Sequence, residues 1–158
     1  MTAVLDGVVP RRGEGAFDLY CGVGLFAGAL LDAGCRVWGD DANASAIELA
    51  KDNLIDAGDR VTLRTDRVER ALRRLPRRAD VIVLDPPRGG AGRAVMELVA
   101  SRAPPAIAYV ACDPVALARD LGTVGHPGFS VTSIRAFDVF PMTAQVECVA
   151  IIEPDGCR

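Results

Sequence analysis

The stretch AFDLYCGVGLF, residues 16–26, decides how the rest of the chain is read. Residues 16–21 are a short, mostly apolar and aromatic run, and Gly22-Val23-Gly24 follows at once. From residue 25 to 31 the pattern is apolar and helical. This is a strand, a tight glycine turn and a helix opening. Glycine removes the side chain where the backbone bends sharply or lets a ligand come close. The free N–H groups at the start of the next helix can face a polar or anionic group. The dinucleotide fingerprint would place a third glycine at position 27, where this chain has Ala27, and Gly28 comes one residue late. A plain strand-to-helix turn is the other reading of a lone Gly-x-Gly.

Outward from the turn the chain alternates between strands and helices. Residues 36–41 (RVWGDD) read as a strand ending in two carboxylates. Residues 44–57 read as an amphipathic helix with Ile47, Ala50, Leu54 and Ala57 inward, capped by Asn43 or Ser45 and closed by Gly58. Residues 60–65 form a third strand, 68–75 a short helix stopped by Pro76, and 79–84 an apolar strand covered on both faces. A helix over 92–102, a fifth strand over 106–111 and a helix over 114–121 follow. Residues 129–140 and 145–152 are two strands joined at Pro141, close enough in sequence to pair antiparallel. The expectation is one α/β domain over residues 1–158: a mainly parallel sheet with helices on both faces.

Composition narrows the class. The chain has 158 residues, half of them hydrophobic, and a net charge of −3, which is ordinary for a globular domain. Its N-terminus, MTAVLDGVVPRRGEG, lacks the pattern of a signal peptide, so a cytoplasmic protein is expected. The five cysteines have no Cys-x-x-Cys pair and irregular spacing, which argues against a disulfide framework or a metal site. A sequence pI near 5.1 is a poor footprint for a free-standing nucleic-acid binder. Seven arginines crowd residues 64–78, with Arg67, Arg70 and Arg74 at helical spacing; they read as a solvated helix face sooner than an RNA contact.

The unusual residues fall just after strands: the glycine turn, Asp40 and Asp41, Asp66, Asp85-Pro86-Pro87-Arg88, and Cys112-Asp113-Pro114. Ligands of open α/β sheets bind outside the carboxyl ends of the strands, so one edge collects the whole set. Asp41, or its neighbour Asp40, stands about 20 residues past the turn, where a carboxylate accepts from ribose hydroxyls; the other can cap the helix. Asp66 can accept from the exocyclic amine of adenine or cap a helix. Together with the turn they favour an adenosine-type ligand, either a nicotinamide dinucleotide or S-adenosylmethionine. The antiparallel end and the missing third glycine favour the second. The prolines hold Asp85 and Arg88 stiffly, fit to present a flat polar substrate, or else they simply stop a strand. Cys112 precedes a helix, where thiolate is favoured; buried packing is the alternative. Glu147 lies in a mostly apolar strand, where a carboxylate is costly unless used or paired. It is a candidate general base or an edge residue facing water.

Four motifs occur in order: DLYCGVGLF at residues 18–26, DPPR at 85–88, YVACDP at 109–114 with ARDL at 118–121, and FDVFP at 137–141 with Val146-Glu147. The set resembles the bacterial RNA uracil-5 methyltransferases that act on transfer and ribosomal RNA, over nearly the whole chain. The resemblance implies a Rossmann-like class I methyltransferase sheet with its last strand antiparallel, S-adenosyl-L-methionine as cofactor, RNA as substrate, and no metal or membrane. It implies that Cys112 adds to carbon 6 of uracil, which makes carbon 5 nucleophilic toward the cofactor's methyl group. Glu147 then removes the carbon 5 proton and the thiolate leaves. Asp85 would hydrogen-bond the uracil edge with Arg88 supporting the loop. Asp18, Tyr20, Gly22, Gly24, Asp41, Asp66 and Asp85 would hold the cofactor.

The chain departs from the family pattern at Asp113, usually Asn, at Ala111, usually Ser or Thr, and at 142–145, where a histidine is usual. A carboxylate beside Cys112 is expected to disfavour its thiolate. The family's N-terminal RNA-binding barrel, its intervening domain and a glutamine-bearing cofactor segment have no counterpart here. The expectation is a catalytic domain that needs further RNA-binding parts. Two rivals follow: a cofactor-binding module without catalysis, and a methyltransferase acting on a base nitrogen through Asp85-Pro86-Pro87 with Cys112 inert.

Overall fold

Gly15–Leu19 forms β1, whose residues beyond Gly15 are all buried, as a strand covered on both faces must be. A computed structural model describes residues 1–124, 128–138 and 146–156. The other strands are β2 (Arg36–Asp41), β3 (Val61–Thr65), β4 (Val81–Leu84), β5 (Ala106–Ala111), β6 (Phe129–Phe137) and β7 (Glu147–Pro154). They form one sheet in the order β3-β2-β1-β4-β5-β7-β6. The first five strands pair in parallel, and β7 lies antiparallel between β5 and β6. This is the expected Rossmann-like arrangement.

The helices are α1 (Thr2–Val8), α2 (Leu25–Asp32), α3 (Ala44–Asn53), α4 (Val68–Arg74), α5 (Arg93–Ala100) and α6 (Pro114–Val124). Successive strand residues point to opposite faces, so the sheet has two cores. Phe17, Leu19, Ile82, Leu84, Ile107 and Tyr109 meet Leu72, Met96, Val99 and Leu117 under α4, α5 and α6. Ala16, Val37, Val81, Val83, Val110 and Val149 meet Val4, Val8, Phe26 and Leu30 under α1 and α2.

Three differences from the sequence reading bear on the site. The N-terminus forms α1, which the sequence reading left unassigned; Gly7 lets it approach the Ile151 side chain closely. β1 ends at Leu19, because Tyr20 takes a positive φ of 65° and turns the chain out of the strand. α3 stops at Asn53, and a 3-10 segment follows over Ile55–Arg60, broken by Gly58 at φ 56°. The cap of α3 is Asn43, whose side chain accepts from Ser45 and Ala46 N–H. The joint at Pro141 and the strand residues expected at 139, 140 and 145 lie outside the described residues. No helix among the described residues is long and apolar enough to cross a membrane.

Candidate active site

The turn is built from backbone that needs glycine and from carboxylates that hold it. Gly24, at φ 88°, opens α2, and a Cβ there would come within 2.9 Å of the Leu54 side chain on the chain just past α3. Gly22, at φ 54°, faces open space, where a Cβ would meet nothing within 4 Å. Asp41 accepts from Gly22 N–H at 2.9 Å and from Asn43 N–H at 2.8 Å. It therefore ties the end of β2 to the turn. Its carboxylate still has lone pairs for further donors. Asp66 follows β3, and its own N–H donates to the Asp41 carbonyl. Its carboxylate pairs with Arg74 at 3.3 Å and Arg70 at 3.6 Å. The apolar Val23 and Leu25 lie exposed beside the turn.

Two of the residues expected to hold a cofactor turn their side chains into the protein beneath the turn. Asp18 has no exposed surface; one oxygen accepts from Ala27 N–H at 2.7 Å and the other has no partner. It braces the first turn of α2 from behind and does not meet solvent. Tyr20 packs its ring into the core under α4 and α6, where burial, with Glu69 and Asp120 adding, pushes its hydroxyl up to about 12. Both shape the turn from beneath. Asp40 is also buried, on the strand beside Asp41, with neither carboxylate oxygen hydrogen-bonded. Of the two neighbours, Asp41 is the one presented to the turn.

A cavity of about 460 Å3 opens beside this turn. Its walls include Leu25 and Phe26 of α2, residues 1–4 and Asp6, Val110 of β5, Arg135 and Phe137 of β6, and Glu147 and Val149 of β7. Asp85 completes it from the end of β4. Strand alternation explains the convergence. Val149 faces α1 and α2, so Glu147, two residues away in β7, projects to the same side, and Asp85 joins it from just past the end of β4. The β5–β7 pairing ends at Ala111 with Cys148, so Cys112 and Glu147 are each the next residue along at that same end of the two strands. Cys112 is half-buried and does not line the cavity wall itself. Burial raises the Glu147 carboxyl above its ordinary range. Asp85 is pushed up to about 6, first by burial and then by the charge of Glu147. The two carboxylates thus share one space.

Asp113, beside Cys112, caps a helix. Its carboxylate accepts from Val115 N–H at 2.8 Å and Ala116 N–H at 3.1 Å, as the cap of α6. The loop after β4 has a support that the sequence reading did not assign. Asp120, buried on α6, accepts from Tyr109 OH at 2.7 Å, Ala91 N–H at 2.7 Å and Gly92 N–H at 3.1 Å. Arg119 donates both to Asp120 and to the Gly89 carbonyl. Burial pushes the Asp120 carboxyl up, but these hydrogen bonds outweigh it and hold it below its ordinary range. Gly90, at φ 79°, has no room for a side chain against Asp120 and Arg119. Arg88 stands exposed on the loop so anchored. The wall supplied by α1 was also missed, though Val4 and Val8 at i, i+4 were its signal. Among the described residues no three His, Cys, Asp or Glu side chains are grouped to hold a metal.

The buried carboxyls make a stability prediction. Burial pushes Asp40 up to about 6, against the pull of nearby Arg64, and Asp18 up to about 7. Each stays protonated in the folded chain at pH values where the unfolded chain, near 3.8, has lost that proton. Stability therefore falls as pH rises from about 4 through 6 to 7. Asp40→Asn removes the ionisation, worth about 3 kcal/mol for two pH units. Its thermal midpoint should rise by about 6 °C or more at pH 8 and barely move at pH 4. Equal shifts at both pH values would refute the account.

The family model described as tRNA (Uracil-5-)-methyltransferase matches residues 4–154. An uncharacterized RNA methyltransferase of Streptomyces coelicolor is 52% identical over 158 residues, covering 98% of this chain and 34% of its own length. One from Thermotoga maritima is 36% identical, over 90% of this chain and 33% of its own. The crystal structure of Pyrococcus abyssi tRNA (uracil-54, C5)-methyltransferase in complex with S-adenosyl-L-homocysteine superposes with a TM-score of 0.80 at 30% identity. That match covers 96% of this chain and 37% of that one. The chain spans about a third of the length of the curated relatives it matches. On the extent of these matches and the order of its motifs, the chain belongs to the tRNA (uracil-5-)-methyltransferase family.

Proposed function

We propose that this chain is the catalytic part of an S-adenosylmethionine-dependent RNA methyltransferase that modifies carbon 5 of a uridine in transfer or ribosomal RNA. The observation that carries it is the cavity shared by Asp85 and Glu147, with Cys112 the first residue past the neighbouring strand at the same end of the sheet. The residues present fit the cofactor. Gly22 leaves open space at the turn, Asp41 and Asp66 end adjacent strands beside it, and Val23 and Leu25 offer apolar surface. The cofactor, when bound, supplies the methyl group.

The chain's own side chains divide the rest. Cys112 Sγ adds to carbon 6 of uracil, and the electron pair displaced from the 5,6 double bond makes carbon 5 nucleophilic. Glu147 takes the carbon 5 proton after methylation, and the 5,6 double bond reforms as the C6–Sγ bond breaks. Asp85, held by the prolines and by the Asp120 brace, meets the polar edge of the base. Arg88 supports the same loop from its exposed side. The Pyrococcus abyssi enzyme, named for carbon 5 of uracil-54, supports the choice of atom.

Calorimetry with S-adenosyl-L-homocysteine is expected to show binding to this chain, and RNA incubated with the methyl donor is expected to yield 5-methyluridine by nucleoside mass analysis. Absence of binding heat at high concentration overturns the cofactor assignment. Methylation at a base nitrogen overturns the assignment of the atom.

A further inference from the structure

Charge is segregated across this molecule. Residues 1–60 carry five basic and ten acidic side chains, whereas 61–124 carry eleven and seven. The first set supplies α1, α2 and α3; the second supplies α4, α5 and α6 on the opposite face of the sheet. The excess is concentrated at residues 64–78, where all seven arginines are exposed. Arg70 and Arg74 share the single carboxylate of Asp66, and Arg67, Arg73, Arg77 and Arg78 make no ion pair among the described residues.

The Asp66 pairs and the C-terminal end of the α4 dipole account for Arg70, Arg73 and Arg74, but not for Arg64, Arg67, Arg77 and Arg78 beside them. Like charges at i,i+3 and i,i+4 destabilise a helix, and Arg67, at the N-cap of α4, opposes the helix dipole there. The inward side of α4 is Val68, Ala71 and Leu72, so the arginines take no part in the core. A polyanion laid along the face would relieve the repulsion. The residue type fits one polyanion: guanidinium groups pair bidentately with phosphate, and there is no lysine in the segment. The place fits too. α4 begins directly after Asp66, whose N–H is bonded to Asp41, and runs about 10 Å away from that edge.

We propose that the exposed arginine face of residues 64–78 is a docking surface for the phosphate backbone of RNA, leading from the site edge across α4. The proposal rests on the reading of this chain as an RNA methyltransferase, and it names the surface on which the RNA lies.

The test uses Arg73→Gln, Arg77→Gln and Arg78→Gln together, away from the cavity and the glycine turn. Binding of a fluorescein-labelled single-stranded RNA is followed by anisotropy across a salt series. The native chain is expected to bind at low salt, and the triple variant about tenfold or more weakly. The slope of log affinity against log salt is expected to fall by about 2, at about 0.7 per lost phosphate contact. The thermal midpoint should be unchanged or raised, since the charges removed repel one another. An unchanged slope, or a native chain that binds no RNA at the lowest salt, overturns the proposal. So does loss of self-association instead of RNA binding, seen by sedimentation, which would assign the face to acidic protein surface. S-adenosyl-L-homocysteine calorimetry on the same two proteins separates the two failures. Binding heat with indifferent RNA affinity sinks only the surface. Arginine-dependent RNA binding without heat sinks only the methyltransferase reading.

Discussion

Cys112→Ala should lower the rate of RNA methylation by about 10^4-fold, roughly 5 kcal/mol of barrier, while S-adenosyl-L-homocysteine still binds. Carbon 5 of uracil is a weak nucleophile until a thiolate has added to carbon 6. Among the four described cysteines, Cys21, Cys35 and Cys148 are buried, and burial pushes each of their thiols up. Cys112 is half-exposed at the carboxyl edge of the sheet, on the first residue past β5. It stands two residues before α6, and the neighbouring Asp113 is engaged as the helix cap. The large effect is expected because the other cysteines among the described residues are buried and cannot replace the sulfur. The measurement is single-turnover methylation of substrate RNA, with calorimetry as the control for folding. A variant that methylates at a rate comparable to the native protein would leave Cys112 inert and favour attack by a base nitrogen.

The legible part of the chain was the part fixed by period and punctuation. Glycine, proline and carboxylate residues placed after apolar runs marked the strand ends, and strand ends are where the cavity formed. Glu147 stands out in the sequence because a carboxylate in a mostly apolar strand is costly without a use, Asp85 because prolines fix its loop, and Cys112 because it closes a strand ahead of a helix. What was not legible depends on three-dimensional neighbours. Asp18 and Asp41 look alike in sequence, yet one is sealed beneath α2 and the other faces the turn. Tyr20 sits within the glycine motif but takes a left-handed backbone, which sends its ring to the other face of the sheet. Asp120 stands in the ARDL motif, but the sequence alone assigns it no role. Its value comes from Tyr109 and from the loop at residues 89–92, up to 31 residues before it in sequence. In α1 the signal is a single i, i+4 pair, Val4 and Val8, too short a period to mark a helix by itself.

Glu147→Gln should trap the reaction rather than prevent it. If Glu147 removes the carbon 5 proton, its amide leaves Cys112 free to add and the methyl group free to transfer, but elimination then waits on water. Loss of a positioned base costs about 10^2- to 10^4-fold. Turnover should fall by that factor, and a covalent protein–RNA adduct should build up on ordinary uridine, visible as a mass shift of the intact protein. The pH dependence has a defined sign. Burial holds the Glu147 carboxyl above its usual range, and the base must be ionised to act, so native activity should fall on the acidic side as Glu147 gains its proton. Asp85, pushed up to about 6, titrates in the same cavity, so the acid limb belongs to the pair. In Glu147→Gln that limb should shift to lower pH for Asp85, because the neighbouring charge that helped raise it is gone. Full turnover in the variant would take Glu147 out of the reaction. Loss of turnover with no adduct would place it before addition, as a group that orients the base.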